Sequence, residues 1–312
     1  MKNIYANKVL EQTVDTLTRK DVEIRKSFHP IIKSMIKISN KKKIIIEGYP
    51  ELEKGKPYIF AAGHSFPDEV ASNLSAIDRH TYVLVGTTDQ VVNNPKMAIL
   101  WWNGMIYVNK FDSISRHDSF LRMGKVLDYG SSVMLFPEGV LNNSENVLCG
   151  NPYPGFYHLS NEKNIEVVPI VSQTYNDSNI IRIKASEPMN LSKCFKIEAL
   201  KWWKDEISRL RYELAEKEPM LYRNSLQGDI HEQYMESRRQ TYNEVKWTAD
   251  VWDEEIMHRE EKGYVSPSEA IEYIDKINIT KDNAKIIAPV LVRRLEYQKY
   301  DFKKYMHNNW NK

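Results

Sequence analysis

In the run "AAGHSFPDEV", His64 is followed at once by a hydroxyl, Ser65, and then by two adjacent carboxylates, Asp68 and Glu69. An imidazole held by a carboxylate is a general base suited to neutral pH, because the acid selects the tautomer and stabilises the imidazolium that forms. The apolar run "YIF" just upstream reads as a strand, and Pro67 suits the first turn of a helix. With Ser65 as N-cap, Asp68 completes an S-x-x-D helix start. Such a start returns first-turn carboxylates to the strand end, beside the positive pole of the helix. The same residues also describe a plain helix start that happens to contain a histidine, and this run alone supports both readings.

The elements that must position these groups follow from hydropathy patterning. Seven short apolar runs lie between residues 44 and 190: "KIIIEG", "PYIFAAG", "YVLVGT", "GMIYV", "SVMLFPEG", "EVVPIV" and "IIRIKA". Segments such as "DEVASNLSAI" and "SFLRMGKVLDYG" between them have helical periodicity, so the expected fold is α/β, a mixed sheet flanked by helices. Functional groups in such a fold sit at strand ends and in the loops that follow. Residues 1–43 hold eleven Lys and Arg against four Asp and Glu. There "IIKSMIKIS" places Ile31, Ile32, Met35, Ile36 and Ile38 largely on one side, with Lys33 and Lys37 elsewhere. The expectation is a basic amphipathic helix, packed on the core or lying on a membrane surface. From residue 192 onward long charged helices carrying aromatics replace the strands, and the expected organisation is 1–43, 44–191 and a helical extension 192–312. In that extension Ser266 to Glu269 reads as a capping box with Pro267 at its first helical position.

Composition narrows the function classes. With 44 Lys and Arg against 42 Asp and Glu in 312 residues, no global field points to nucleic acid. Cys149 and Cys194 are the only cysteines, far apart and in no ligand spacing, which argues against a zinc site or disulfide framework and for a reducing compartment. No run approaches the roughly 18 apolar residues of a membrane-spanning helix, and the first residues lack the apolar core of a signal peptide. A soluble or surface-lying protein is therefore expected.

Three further blocks follow the His-acid turn at intervals of some thirty to forty residues: "GMIYVNK" from Gly104 to Lys110, "FPEG" from Phe136 to Gly139, and "VVPIV" around Pro169. Together the four blocks resemble the glycerophospholipid acyltransferase family, whose best-known members are the 1-acyl-glycerol-3-phosphate acyltransferases. The resemblance covers residues 44–190. Its first block is a His, four arbitrary residues and an Asp, commonly with a Ser two places after the His, and by that measure this chain is one residue short. If the S-x-x-D helix start is the fixed element, Asp68 is the acid; if distance from the His is fixed, Glu69 is. The helix start favours Asp68. The second block keeps Gly104 and Asn109 but has Lys110 where the family has Arg, losing the bidentate fork and keeping the charge. The third keeps Phe136, Pro137, Glu138 and Gly139 but continues Val140-Leu141 where Thr-Arg is common.

The resemblance implies direct transfer of an acyl group from a thioester, carried by acyl-CoA or acyl-carrier protein, to the hydroxyl of a lysophospholipid or related glycerolipid, with no metal or other cofactor. It casts His64 as the base, Asp68 or Glu69 as its orienting acid, Glu138 as a holder of acceptor hydroxyls, and Lys110, with Arg116 as second candidate, as the phosphate cation. Ser65, Gly104, Asn109, Phe136, Pro137 and Gly139 would shape the substrate site. A lipid acceptor implies peripheral attachment at the cytoplasmic face of a membrane. Two other readings remain open at this level. "GHSFP" resembles the nucleophile elbow of α/β-hydrolases, with Ser65 as nucleophile and Pro67 where a Gly belongs. The departures in the first and third blocks also fit a lapsed enzyme that binds lipid or a carrier protein. Trp101 and Trp102 are candidates to line an acyl-chain cavity. Trp202, Trp203, Trp247, Trp252, Tyr264 and Tyr273 could form a bilayer-facing or lid surface, or pack a helical domain.

Overall fold

The computed structural model describes residues 11–39, 42–66, 68–86, 97–110, 112–142, 148–174 and 179–217, together with Gly228 and Thr280. Pro67, the capping box at 266–269 and the aromatics Trp247, Trp252, Tyr264 and Tyr273 lie outside them. By its contacts the chain divides into two units, Met1–Lys246 and Trp247–Lys312, and every element named below belongs to the first.

All seven apolar runs form strands: β1 Lys43–Gly48, β2 Ile59–Ala62, β3 Thr81–Val85, β4 Met105–Tyr107, β5 Ser132–Leu135, β6 Val167–Gln173 and β7 Ile180–Ala185. They make one sheet in the order β1-β7-β6-β2-β5-β3-β4. Neighbours run parallel except β6 with β7, so the sheet is mixed. The reason the runs read as continuous hydrophobic stretches is that both faces are covered. Tyr58, Phe60 and Ala62 point into one core layer with Val83, Met105, Met134, Val168 and Ile170; Ile59 and Ala61 point into the other with Tyr82, Ile106, Val133 and Val171.

The first layer is closed by helices α1 (Arg19–Ser39), α2 (Glu69–Ala76) and α3 (Met97–Asn103), through Ile32, Ile36, Leu74, Ile77 and Leu100. The second is closed by α4 (Ser113–Asp128), α5 (Gly155–Lys163) and α6 (Lys196–Ala215). In α1 the apolar residues do not share one face. Ile32 and Ile36 enter the core, while Ile31, Met35 and Ile38 are exposed, because the helix carries apolar residues on two sides and only one meets α2, α3 and the core layer beneath them. Helix α6 falls in the stretch assigned to a separate extension, yet it packs on β6 and β7. Ala199, Trp203, Ile207, Leu210 and Leu214 recur at helical spacing and are fully buried there, so this helix is a wall of the sheet's second layer.

Candidate active site

β2, β5 and β4 run in the same direction, so the segments that follow them emerge at one edge of the sheet. Those segments are the three blocks carrying polar groups: His64 after β2, Phe136–Gly139 after β5, and Asn109–Lys110 after β4. The carboxyl ends of neighbouring strands are where an open α/β sheet builds sites.

His64 is held on three sides. Its backbone N–H donates to Glu138 Oε1 at 2.9 Å, and its carbonyl accepts from the Asn142 N–H at 2.7 Å. Its ring Nδ1 bonds Glu69 Oε1, and Phe136 lies against the ring with centroids 4.5 Å apart. The side chain is 21% exposed, and among the described residues Nε2 has no hydrogen-bond partner. A donor contact from Nδ1–H to a carboxylate selects the tautomer whose Nε2 lone pair is open, which is the form a general base requires.

The acid is Glu69, not Asp68. Helix α2 begins at Glu69, and Asp68 stands at its N-cap position, exposed and without a side-chain capping bond. Side chains in a first turn lean toward the helix N-terminus. Glu69 therefore reaches back over the turn, where its Oε2 accepts the Ser65 N–H at 2.8 Å and the Phe66 N–H at 3.4 Å. The reach-back role given to Asp68 by the S-x-x-D pattern is thus performed one residue later, by a carboxylate with one more methylene. Counted from His64 the block has no gap, since Glu69 is the fifth residue on. Glu69 is fully buried, so the orienting charge is shielded from water. Ser65 contributes its backbone N–H to Glu69 in this turn.

The third block forms a turn closed by the Gly139 N–H on the Phe136 carbonyl at 2.9 Å, with Pro137 in the position where its fixed φ is preorganised and Gly139 at φ 72°. Glu138 is 1% exposed. Its Oε1 receives His64 N–H and Arg211 Nη2 (2.8 Å), and its Oε2 receives Gly150 N–H (2.7 Å) and Arg211 Nη1 (3.4 Å). A carboxylate so engaged holds the backbone of His64 rather than reaching for an acceptor hydroxyl. Val140 and Leu141 are both buried apolar residues.

The second block is partly structural. Gly104 has φ 124°, and a Cβ there would lie 2.8 Å from the Tyr82 ring, so only glycine opens β4 in this way. Asn109 is exposed, with its N–H on Ser115 Oγ at 2.9 Å. Lys110 reaches the third block, where Nζ donates to the Gly139 carbonyl at 3.1 Å, and Arg116 Nη1 donates to the Lys110 carbonyl. Lys110 therefore reaches the FPEG turn, and Arg116 lies against the Lys110 backbone. Trp101 packs partly buried against the first core layer, with the Arg25 guanidinium 4.7 Å above its ring, and Trp102 is exposed. Of the C-terminal aromatics described, Trp203 is fully buried and donates Nε1–H to the Ala61 carbonyl at 3.0 Å, three residues before His64.

Sequence reasoning missed Arg211. The one available signal was a charged residue on the otherwise apolar face of α6, four residues after Ile207 and three before Leu214.

Comparison with known proteins agrees with this geometry. The Acyltransferase family model matches residues 43–173, the span from β1 to the end of β6 that contains all four blocks. No curated protein matches the sequence. Among solved structures the chain is similar to the 1-acyl-sn-glycerophosphate (LPA) acyltransferase PlsC from Thermotoga maritima, at 14% identity and a TM-score of 0.49, over 68% of this chain and 89% of that one. The segment matched by the Acyltransferase family model, residues 43–173, spans both the His-acid turn and the FPEG turn, so this part of the chain is an acyltransferase domain.

Proposed function

We propose that the protein transfers a fatty acyl group from a thioester donor to the hydroxyl of a lysophospholipid or related glycerolipid, with His64 as general base. The observation that carries this reading is the His64 ring, anchored at Nδ1 by the buried Glu69 and open at Nε2. In the proposed step Nε2 takes the acceptor's hydroxyl proton as the oxygen attacks the thioester carbonyl. Glu69 stabilises the resulting imidazolium. Collapse of the tetrahedral intermediate breaks the carbon–sulfur bond, and the proton on Nε2 passes to the departing thiolate. General-base assistance of this kind is worth on the order of 100 to 10,000-fold. Lys110, beside the FPEG turn, is the cation proposed to hold an acceptor phosphate.

Incubation with acyl-CoA or acyl-carrier protein and a mixed lysolipid pool, followed by mass spectrometry of products, tests the reading. The wild type should form diacyl product and His64→Ala should form none while remaining folded. Equal turnover by the two proteins would refute the assignment.

The acceptor's chemistry places the proposed reaction at a membrane surface, on its cytoplasmic face. Among the described residues no helix is long and apolar enough to cross a membrane. The outer side of α1, however, carries Ile24, Phe28, Ile31, Met35 and Ile38 at alternating spacings of four and three, with Ile31 60% and Ile38 83% exposed. Exposed Lys20, Lys26 and Lys37 accompany the stripe. An apolar helical face with flanking lysines suits the interface of an anionic bilayer. Wild-type protein should sediment with anionic phospholipid vesicles, and Ile31→Glu/Ile38→Glu should remain in the supernatant; co-sedimentation of both to the same extent would exclude this face.

A further inference from the structure

We infer that Arg211, which lies outside the segment matched by the family, is a positioning residue for the base, acting on His64 through Glu138. The inference rests on the proposed role of His64. Four observations carry it. The guanidinium is 4% exposed and pairs with both oxygens of the equally buried Glu138, through Nη2 at 2.8 Å and Nη1 at 3.4 Å. The same Glu138 Oε1 that receives Nη2 also receives the His64 N–H, so one oxygen joins the arginine to the backbone of the base. Nη1 donates in addition to the Leu148 carbonyl, which orients the guanidinium plane. Finally, the residues around the pair leave room for it. A Cβ on Gly63, immediately before His64, would lie 2.8 Å from Arg211 Nη2, and a Cβ on Gly150 would lie 3.1 Å from Glu138 Oε2.

The turn after Glu138 continues with the buried apolar pair Val140-Leu141, so it places no guanidinium beside the carboxylate. Helix α6 delivers one from 73 residues away in sequence. A buried carboxylate left without a countercharge is costly, and a forked guanidinium fixes both its oxygens where an ammonium fixes one point. Arg211 thereby holds Glu138 in the rotamer that receives the His64 N–H. The position of the imidazole relative to Glu69 and the open edge of the sheet follows from that contact. Being buried, Arg211 touches no substrate, and its effect belongs to the rate of the bound complex rather than to acceptor affinity.

Steady-state acyl transfer by the full chain, measured as thiol release against pH with activities normalised to the folded fraction, separates the possibilities. The first comparison is wild type with His64→Ala; turnover that ignores this substitution sinks the base reading itself and says so independently of Arg211. Given His64-dependent turnover, Arg211→Met should lower kcat roughly 10 to 100-fold, the scale on which misplacement by about an ångström acts, with acceptor KM changed less than about threefold. The acid limb of its rate profile should move to higher pH, because the Glu138 charge beside His64 is then no longer offset by Arg211. Arg211→Lys should recover part of the loss. Gly63→Ala, which displaces Nη2 without altering charge, should lower kcat in the same direction. Glu138→Gln/Arg211→Met should be less impaired than the product of the single effects. Should Arg211→Met not fold, Arg211→Lys and Gly63→Ala decide. Wild-type kcat per folded molecule with an unmoved acid limb in these variants, or a loss expressed in KM alone, would overturn the inference.

Discussion

Replacing Glu69 by glutamine tests the site with almost no change in shape. In the native turn every group facing Glu69 is a donor: Nδ1–H of His64 at Oε1, and the N–H groups of Ser65 and Phe66 at Oε2. A glutamine has one oxygen and one NH₂ to offer. Two fixed backbone donors outweigh one ring that can change tautomer, so the oxygen stays on Ser65 and Phe66 and the NH₂ turns to Nδ1. The ring then carries its proton on Nε2, the atom that must accept one. The whole general-base contribution, about 100 to 10,000-fold, is thereby exposed to loss in kcat. The fold loses only the charge assistance of its hydrogen bonds, about 1–2 kcal/mol. Glu69→Asp keeps the charge but retracts it by one carbon–carbon bond, about 1.5 Å, so it should lie between glutamine and wild type. Asp68→Asn, at an exposed position without a capping bond, should leave kcat unchanged. The assay is thiol release from the acyl donor at saturating acceptor, with thermal melts as a control on folding. Glu69→Gln within about threefold of wild-type kcat, or a larger loss in Asp68→Asn than in Glu69→Gln, would refute the tautomer argument and with it the role of Glu69.

Two further expectations concern stability. His80 is 4% exposed, with Nδ1 paired to Ser131 Oγ at 2.8 Å and Nε2 to the Asn103 carbonyl at 2.6 Å. Burial, assisted by His29, Arg25 and Lys26, lowers its pKa from 6.5 to about 4. The unfolded chain therefore takes up this proton first as pH falls, so the contribution is complete above pH 6.5, declines as pH falls from 6.5 to about 4, and totals about 3 kcal/mol. Denaturant midpoints at pH 7.5, 5.5 and 4.5 should fall in that order in wild type and fall less in His80→Gln; parallel slopes would disprove it. Trp203→Phe removes the donor to the Ala61 carbonyl and part of a fully buried ring, at a cost of about 1–3 kcal/mol, read as a lowered melting temperature. An unchanged melt would show that this hydrogen bond contributes nothing.

What could be read without coordinates divides along a physical line. The central strands were legible because they are buried on both faces, so Ile59 and Phe60 are both apolar although they point into different layers. The His–carboxylate pair was legible for a different reason, since a His at a strand end followed within five residues by carboxylates is a local pattern. The choice between Asp68 and Glu69 was not, because both satisfy some local rule and the winner depends on where the helix begins. That start is set by packing of Leu74 and Ile77 on the sheet as much as by capping signals. The orientation of α1 failed in the same manner, since Ile31 and Ile32 are chemically alike and only packing on α2 and α3 distinguishes them.

Glu138 shows the deeper difficulty. As a residue of "FPEG" it reads either as a holder of acceptor hydroxyls, which the resemblance implies, or as a carboxylate salt-bridged across its loop. Its partners are the backbone of His64, 74 residues earlier, the backbone of Gly150, and Arg211, 73 residues later. Motif reading sees the carboxylate and not the cation, since the cation belongs to another segment whose own pattern is that of an ordinary amphipathic helix. The charge on that helix's inward face was nevertheless a readable anomaly. Burying an arginine among Ile207, Leu210 and Leu214 is unfavourable unless an acid meets it. The buried Arg211 and the buried Glu138 of the FPEG turn meet that requirement in each other. On that argument the body that carries the chemistry must extend past the end of β7 to α6, and a chain truncated before residue 196 should lose Glu138's countercharge and, with it, the placement of the base.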